Sequence, residues 1–111
     1  MADDHSDERL DLHSYVVHHP ATTFFVRVQG DSMLGAGIHE GDILVVDRSI
    51  EARENSIVIA VVDGDLTVKR LRRKNGQVEL VPENEKYPVI KVGPEQEFKI
   101  WGTVTTVVHR V

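Results

Sequence analysis

Short apolar runs separated by glycine-containing turns constrain the fold of this chain more than any other feature of its sequence. The clearest runs are residues 24–28, 43–47 and 56–62. Runs of this length, rich in β-branched and aromatic side chains, are typical of strands, and no helical periodicity extends beyond about two turns. The Asp63-Gly64 pair suits the positive φ angles of a tight hairpin. Residues 65–71 are therefore predicted to pair antiparallel with 56–62.

More strand material follows toward the C-terminus, over residues 78–81, 98–101 and 103–108, and Gly102 is expected to split the last two segments. A chain of 111 residues can bury one ordinary core, so a second domain does not fit. The first twelve residues are mostly polar or charged and offer little to bury. We therefore predict a mobile N-terminal arm over 1–12 and one mainly β domain over 13–111, with hairpins and little helix.

Composition argues against several classes of protein. A net charge of −5 and a pI near 5.6 disfavour direct binding of nucleic acid, since neutralising phosphates requires a clustered basic surface. The chain has no cysteine, so neither a disulfide nor a thiolate nucleophile is available. No apolar run approaches the roughly 18–20 residues that span a bilayer. We expect a cytoplasmic protein that needs neither a membrane nor a cofactor.

Two side chains could supply a nucleophile and a base without a histidine. Ser32 follows the first predicted strand in the sequence Gly30-Asp31-Ser32-Met33, and Lys69 lies on the predicted hairpin. A serine attacks a carbonyl only if its proton is removed, and a neutral lysine amine can remove it. Taken singly, each residue has a commoner explanation: turn serines usually bond the backbone, and strand lysines are usually solvated. The combination is what favours a serine–lysine peptidase.

Such a pair has two physical requirements. The pKa of Lys69 must fall by roughly 3 units, about 4 kcal/mol, for the amine to accept a proton near neutrality. Leu71 and Met33 are candidates for the apolar wall that would lower it. The backbone amides of Asp31 and Ser32 could converge on the oxygen of an attacked carbonyl, where each donor is worth roughly 3–4 kcal/mol.

The residues around this pair carry a family resemblance. Residues 19–33, 37–48, 66–69 and 101–104 closely resemble UmuD-like members of the LexA-like S24 family, the serine–lysine self-cleaving SOS proteins. The resemblance implies a compact β domain of the LexA and signal-peptidase type, with Ser32 as nucleophile and Lys69 as general base. It also implies a homodimer whose partners are a RecA–single-stranded DNA filament, a UmuC-like Y-family polymerase subunit and a sliding clamp.

One departure from the family pattern affects the functional interpretation. The family cleaves a Cys-Gly or Ala-Gly bond upstream of the serine, whereas the Ala-Gly pair of this chain, Ala36-Gly37, lies downstream. We therefore expect a form that begins beyond the cleavage point. It would be an accessory subunit for translesion synthesis whose peptidase chemistry is latent or acts in trans. The alternative is the C-terminal self-cleavage domain of a LexA-type repressor, although the helix-turn-helix domain of such a repressor is not seen here.

Several other features are expected to be structural. The spacing of His5, His13, His18 and His19 matches no closed ligand set, so no metal site is predicted. His39 is expected in solvent, with Asp42 stabilising the turn at Gly41. The basic run 69–74 is interpreted as a solvated hairpin end or a protein-docking patch.

The C-terminal aromatic segment predicts a strand that is covered on both faces. Phe98 and Ile100 alternate with Trp101, so apolar side chains point to both sides. We expect a symmetric dimer to provide one of the two covers.

Overall fold

The chain folds as a single seven-stranded antiparallel sheet in a computed structural model that describes residues 9–111. The strands are β1 Thr23–Arg27, β2 Ile43–Asp47, β3 Ile57–Val62, β4 Asp65–Lys74, β5 Gln77–Val81, β6 Ile90–Lys91 and β7 Phe98–Val108. They lie in the order β1-β2-β7-β3-β4-β5-β6. The predicted mainly β fold is confirmed.

The hairpins form where the turn chemistry predicts them. Asp63 and Gly64 both have positive φ and connect β3 to β4, and Asn75 and Gly76 do the same between β4 and β5. The β4 strand is longer than expected because it continues to Lys74 and pairs with both neighbours. This central hairpin places Lys69 opposite Val58.

The prediction that Gly102 splits the last strand is wrong. β7 runs unbroken from Phe98 to Val108, pairing with β2 on one side and β3 on the other. Glycine is needed at 102 for packing, since a Cβ there would lie 2.5 Å from Val46 Cγ1. The register with β3 shifts at this point and leaves Trp101 without a paired residue.

Residues 9–111 contain little helix. α1 spans Leu12–Val16 and is capped by Asp11, whose carboxylate accepts from the Ser14 amide. Two 3₁₀ turns cover Pro20–Thr22 and Leu34–Ala36. Residues 1–8 of the predicted arm lie outside the described residues, so the division at residue 12 stays a prediction. Within residues 9–111, no helix is long and apolar enough to cross a membrane.

Among residues 9–111, buried apolar side chains form two clusters. The first consists of Val28, Met33, Ile38, Leu44, Val46 and Ile59, and the second of Val58, Ala60, Leu71 and Leu80. Trp101 packs against the first cluster, whereas Phe98 and Ile100 pack against the second. The chain itself thus covers both faces of β7, so the apolar side chains of this strand no longer support the predicted dimer.

Candidate active site

Ser32 lies in a tight turn just after β1. Gly30, two residues before it, has a φ of +84°, a conformation that favours glycine. Met33, directly after it, is buried in the first apolar cluster. The turn is therefore anchored on its C-terminal side by a core residue, and the half-buried Ser32 is held at the surface of that core.

Lys69 reaches Ser32 from β4. Its Nζ lies 3.0 Å from Ser32 Oγ and donates to Thr67 Oγ1 at 2.7 Å. Thr67 is two residues away on the same strand, so alternation directs both side chains to one side. Lys69 is only 7% exposed. This burial lowers the pKa of Lys69, because the charged ammonium is poorly solvated there.

The Ser32–Lys69 pair opens into a cleft of about 590 Å³. One side is formed by the end of β1 and the following turn, residues 26–33, and the other by residues 66–69 of β4. Met33 lines this cleft as expected. Leu71 does not; it is buried in the second apolar cluster instead.

The backbone around Ser32 leaves two donors free. Within residues 9–111, the amides of Asp31 and Ser32 donate to neither a backbone nor a side-chain acceptor. Asp31 and Ser32 do accept bonds through their carbonyl oxygens, from Asn84 Nδ2 and from the Glu83 amide, each at 2.8 Å. The carbonyls are thus tied down while the amides stay available for another acceptor.

The loop after β5 holds this turn, a role that the sequence analysis did not assign to it. Besides Glu83 and Asn84, it brings the Tyr87 hydroxyl to the Asp31 carboxylate. That hydrogen bond raises the pKa of Tyr87. Arg70 in turn binds the Glu83 carboxylate at 2.9 Å. These contacts span 13 to 56 residues along the chain, so no local sequence signal points to them.

A second serine, with a histidine and an aspartate, lies elsewhere. His19 Nδ1 is 2.6 Å from Asp47 Oδ2, and Ser49 Oγ donates to Asp47 Oδ1 at 2.7 Å. Thr22 donates to the same carboxylate. Burial alone would raise the pKa of Asp47, but these hydrogen bonds outweigh it and lower the pKa well below its usual range. All three partners, His19, Ser49 and Thr22, converge on the carboxylate, which is a structural arrangement.

His39 and Asp42 form a different cluster, together with His109. Asp42 Oδ2 accepts from the His39 amide at 2.8 Å, which closes the turn as the sequence analysis expects. Asp42 Oδ1 also lies 2.6 Å from His109 Nδ1. His109 was missed, because it lies 67 residues from Asp42. The ring of His39 is about half exposed.

The basic run 69–74 is partly neutralised within the chain. Arg70 pairs with Glu83, and the Arg72 guanidinium lies 2.9 Å from Glu79. Glu79 is buried, so Arg72 lies against the sheet. These pairs leave less free positive charge than the sequence of the run indicates.

Comparison with known proteins decides the family. A model of the Peptidase S24-like family matches residues 1–105. The chain belongs to this family. The S24-like chain is 46% identical to protein SamA of Salmonella typhimurium over 109 residues, which cover 98% of the chain and 75% of SamA. It is 45% identical to protein MucA of Escherichia coli over 105 residues, covering 94% of the chain and 71% of MucA.

The same comparisons separate the two functional interpretations. A LexA repressor of Paracidovorax citrulli is 40% identical over 102 residues, covering 92% of the chain but 45% of the repressor. SamA and MucA are UmuD-like and match more closely over more of their length. The prediction of a UmuD-like SOS mutagenesis protein is confirmed, and the family is one of self-cleaving serine peptidases.

Proposed function

We propose that this UmuD-like protein is a serine endopeptidase in which Ser32 is the nucleophile and Lys69 the general base. The observation that carries the proposal is the 3.0 Å separation of Lys69 Nζ and Ser32 Oγ. A base within hydrogen-bond reach of the proton it removes is the first requirement of general-base catalysis. The lowered pKa of Lys69 supports the second requirement, a neutral amine at accessible pH.

Each step then has a defined proton path. Neutral Lys69 takes the proton of Ser32 Oγ as this oxygen attacks the carbonyl carbon of the scissile peptide. When the tetrahedral intermediate collapses, the carbon–nitrogen bond breaks and the Lys69 ammonium protonates the departing amine. Lys69 next deprotonates a water that attacks the acyl-Ser32 ester, and the proton returns to Ser32 as the acid product leaves. Thr67 Oγ1 orients the amine by accepting one of its hydrogens.

The oxyanion of both intermediates is assigned to the amides of Asp31 and Ser32. These two donors have no acceptor among residues 9–111 and lie in the turn beside the cleft. Donors that are fixed before the reaction stabilise developing charge without reorganisation. The Asn84 contact supports this role, because the Asp31 carbonyl that it binds shares one peptide plane with the Ser32 amide; the Glu83 contact holds the next peptide of the same turn.

The Ala36-Gly37 pair is proposed not to be the substrate bond, because it belongs to the 3₁₀ turn at Leu34–Ala36 and follows the nucleophile along the chain. We propose that the Ser32–Lys69 pair can cleave an intact UmuD-like chain in trans. The cellular role is that of a cytoplasmic, dimeric accessory subunit. It would bind a Y-family polymerase subunit, a RecA–single-stranded DNA filament and a sliding clamp, without holding nucleic acid itself. This part rests on the UmuD-like relatives.

A trans-cleavage assay tests the peptidase. The substrate is a full-length UmuD-like relative whose own nucleophilic serine is replaced by alanine, incubated with the chain with and without a RecA–DNA filament. We expect one cut, and its rate to fall at least about 10³-fold in Lys69→Ala. Uncut substrate at alkaline pH with the wild-type chain would refute the peptidase and leave the accessory role.

The accessory role has its own test. Analytical ultracentrifugation at micromolar concentration should give a dimer, and the chain should co-purify with a Y-family polymerase subunit from the same source. A monomer that retains no polymerase subunit would contradict this part. The Ser32→Ala variant should behave like the wild type in both measurements.

A further inference from the structure

We propose that His39, Asp42 and His109 form a binding site for one divalent transition-metal ion of the Zn²⁺ class. Within residues 9–111, these three are the one group of three metal-ligating side chains whose ligand atoms all lie within 4.8 Å of one another. None of them lines the Ser32–Lys69 cleft. The inference therefore concerns a second site, independent of the proposed peptidase.

The sheet brings these residues together. Asp42 directly precedes β2, and His109 directly follows β7. Because Ile43 is paired with Val108, extending the antiparallel register by one residue places Asp42 opposite His109. His39 returns to the same carboxylate through the turn that the Asp42 side chain closes. The fold thus brings all three residues together without a ligand.

The ligand atoms lie close enough to share an ion, which would replace the hydrogen bond between His109 and Asp42. His109 Nδ1 lies 2.6 Å from Asp42 Oδ1, and His39 Nδ1 lies 3.6 Å from Asp42 Oδ2. Tetrahedral Zn²⁺ with bonds near 2.0–2.1 Å requires ligand atoms about 3.3 Å apart. The observed separations lie on either side of that value. The two imidazole rings lie side by side, with centroids 4.6 Å apart and planes inclined by 34°.

Burial divides the site into a fixed and an adjustable part. Asp42 is 4% exposed and bound by the His39 amide, so its carboxylate cannot move far. The side chains of His39 and His109 are 49% and 44% exposed and can rotate toward an ion. The exposed side leaves a further coordination position to water. Two imidazoles and one carboxylate favour Zn²⁺ or its neighbours over Mg²⁺ and Ca²⁺, which prefer oxygen.

The sequence analysis predicted no metal site, and this proposal differs from that prediction. That expectation followed from the spacing of the N-terminal histidines, whereas this site depends on His109, which only the β2–β7 register brings near. Metal binding would tie the end of β7 to residues 39–42. Gly41 and Asp42 in turn bond the backbone of Val28, which lines the cleft.

Isothermal titration of the untagged chain with ZnCl₂ tests the site. We expect one Zn²⁺ per chain, affinity lowered at least about tenfold in His39→Gln and in His109→Gln, and no saturable binding of Mg²⁺. The matched control is His19→Gln. It removes a similarly exposed histidine that also lies 2.6 Å from a buried aspartate, Asp47, but outside the cluster. Its affinity should stay within about twofold of the wild type.

A second measurement keeps the proposal testable if a variant loses stability. In the wild-type chain, the imidazole nitrogen resonances of His39 and His109 should shift together on adding one equivalent of Zn²⁺, and those of His19 should not. Failure to saturate, or equal affinity in wild type and His39→Gln, would overturn the assignment. So would shifts confined to other histidines.

Discussion

Two serine-containing clusters in this protein contain familiar catalytic residue types, and their geometries differ. Ser49, His19 and Asp47 have the composition of a hydrolase triad, but the serine and the histidine both bond the carboxylate. Ser49 Oγ is 3.4 Å from His19 Nδ1, the same nitrogen that faces Asp47. In a triad the histidine faces aspartate and serine with different nitrogens. No proton relay is therefore possible in this arrangement.

By residue type alone, Ser32 and Lys69 resemble a hydrolase triad less than Ser49, His19 and Asp47 do. Yet they face each other directly, Lys69 is buried, and they open into a cleft that Asp31 and Ser32 line, two residues whose amides have no acceptor within residues 9–111. The comparison shows that which atom faces which, and whether there is room for a substrate, distinguishes a candidate active site from a structural network. Residue type alone does not.

The largest effect should come from exchanging the two serines. Ser32→Ala should lower trans cleavage at least about 10³-fold, whereas Ser49→Ala should change it less than about twofold. Cleavage rates of both variants, measured beside circular dichroism spectra, check this. A strong loss of cleavage rate in Ser49→Ala with the fold intact would contradict the structural role of the Ser49 cluster.

The pH dependence of cleavage should follow Lys69. Only the neutral amine acts as base, so the rate should rise about tenfold per pH unit at low pH and level off above the pKa. Since burial lowers this pKa, the midpoint should lie below the ordinary 10.5. A rate profile at constant ionic strength measures it. A midpoint at or above 10.5 would contradict a buried base.

Asp47→Ala should affect stability rather than catalysis. Removing the carboxylate leaves His19, Thr22 and Ser49 without their shared acceptor and should cost about 2 kcal/mol in the free energy of unfolding. Because the folded pKa of Asp47 is lowered, its contribution is present above its unfolded value near 3.8 and is lost as pH falls through the folded pKa. Urea titrations should therefore show the gap between wild type and variant shrinking below pH 4. A constant gap would exclude the carboxylate as its source.

Thr67→Val should give the smallest change, and it separates orientation from burial. The variant keeps the shape of the side chain but removes the acceptor for the Lys69 amine. We expect about a tenfold lower cleavage rate, the size of one modest hydrogen bond, and a loss of about 1 kcal/mol in the free energy of unfolding. Thr22→Val is the matched control in the other cluster, and it should leave the cleavage rate unaltered.

Much of the fold could be predicted from local pattern. Apolar runs marked the strands, and Asp63-Gly64 marked the central hairpin, because strand and turn preferences act over a few residues. The prediction at Gly102 was wrong, because a glycine in a strand can mark either a break or the close approach of another group. Here the Val46 side chain approaches the Gly102 backbone closely.

The site was predictable only in part. Ser32 and Lys69 could be proposed because each has a suitable local setting and a resemblance connects them. The Asn84 and Tyr87 contacts to the turn, and the pairing of His109 with Asp42, depend on contacts made 53 to 67 residues away. Such contacts follow from register and loop packing, which one sequence does not reveal. The expectation that Leu71 belongs to the apolar wall around Lys69 was wrong for the same reason.

Trp101 gives the molecule a built-in optical probe. It is the chain's single tryptophan, it lines the cleft, and the Arg48 guanidinium carbon lies 4.6 Å above its ring. Indole emission is sensitive to nearby charge and hydration, so a peptide entering the cleft would alter the fluorescence without any added label. Occupancy could thus be followed in a Ser32→Ala chain, where nothing is consumed.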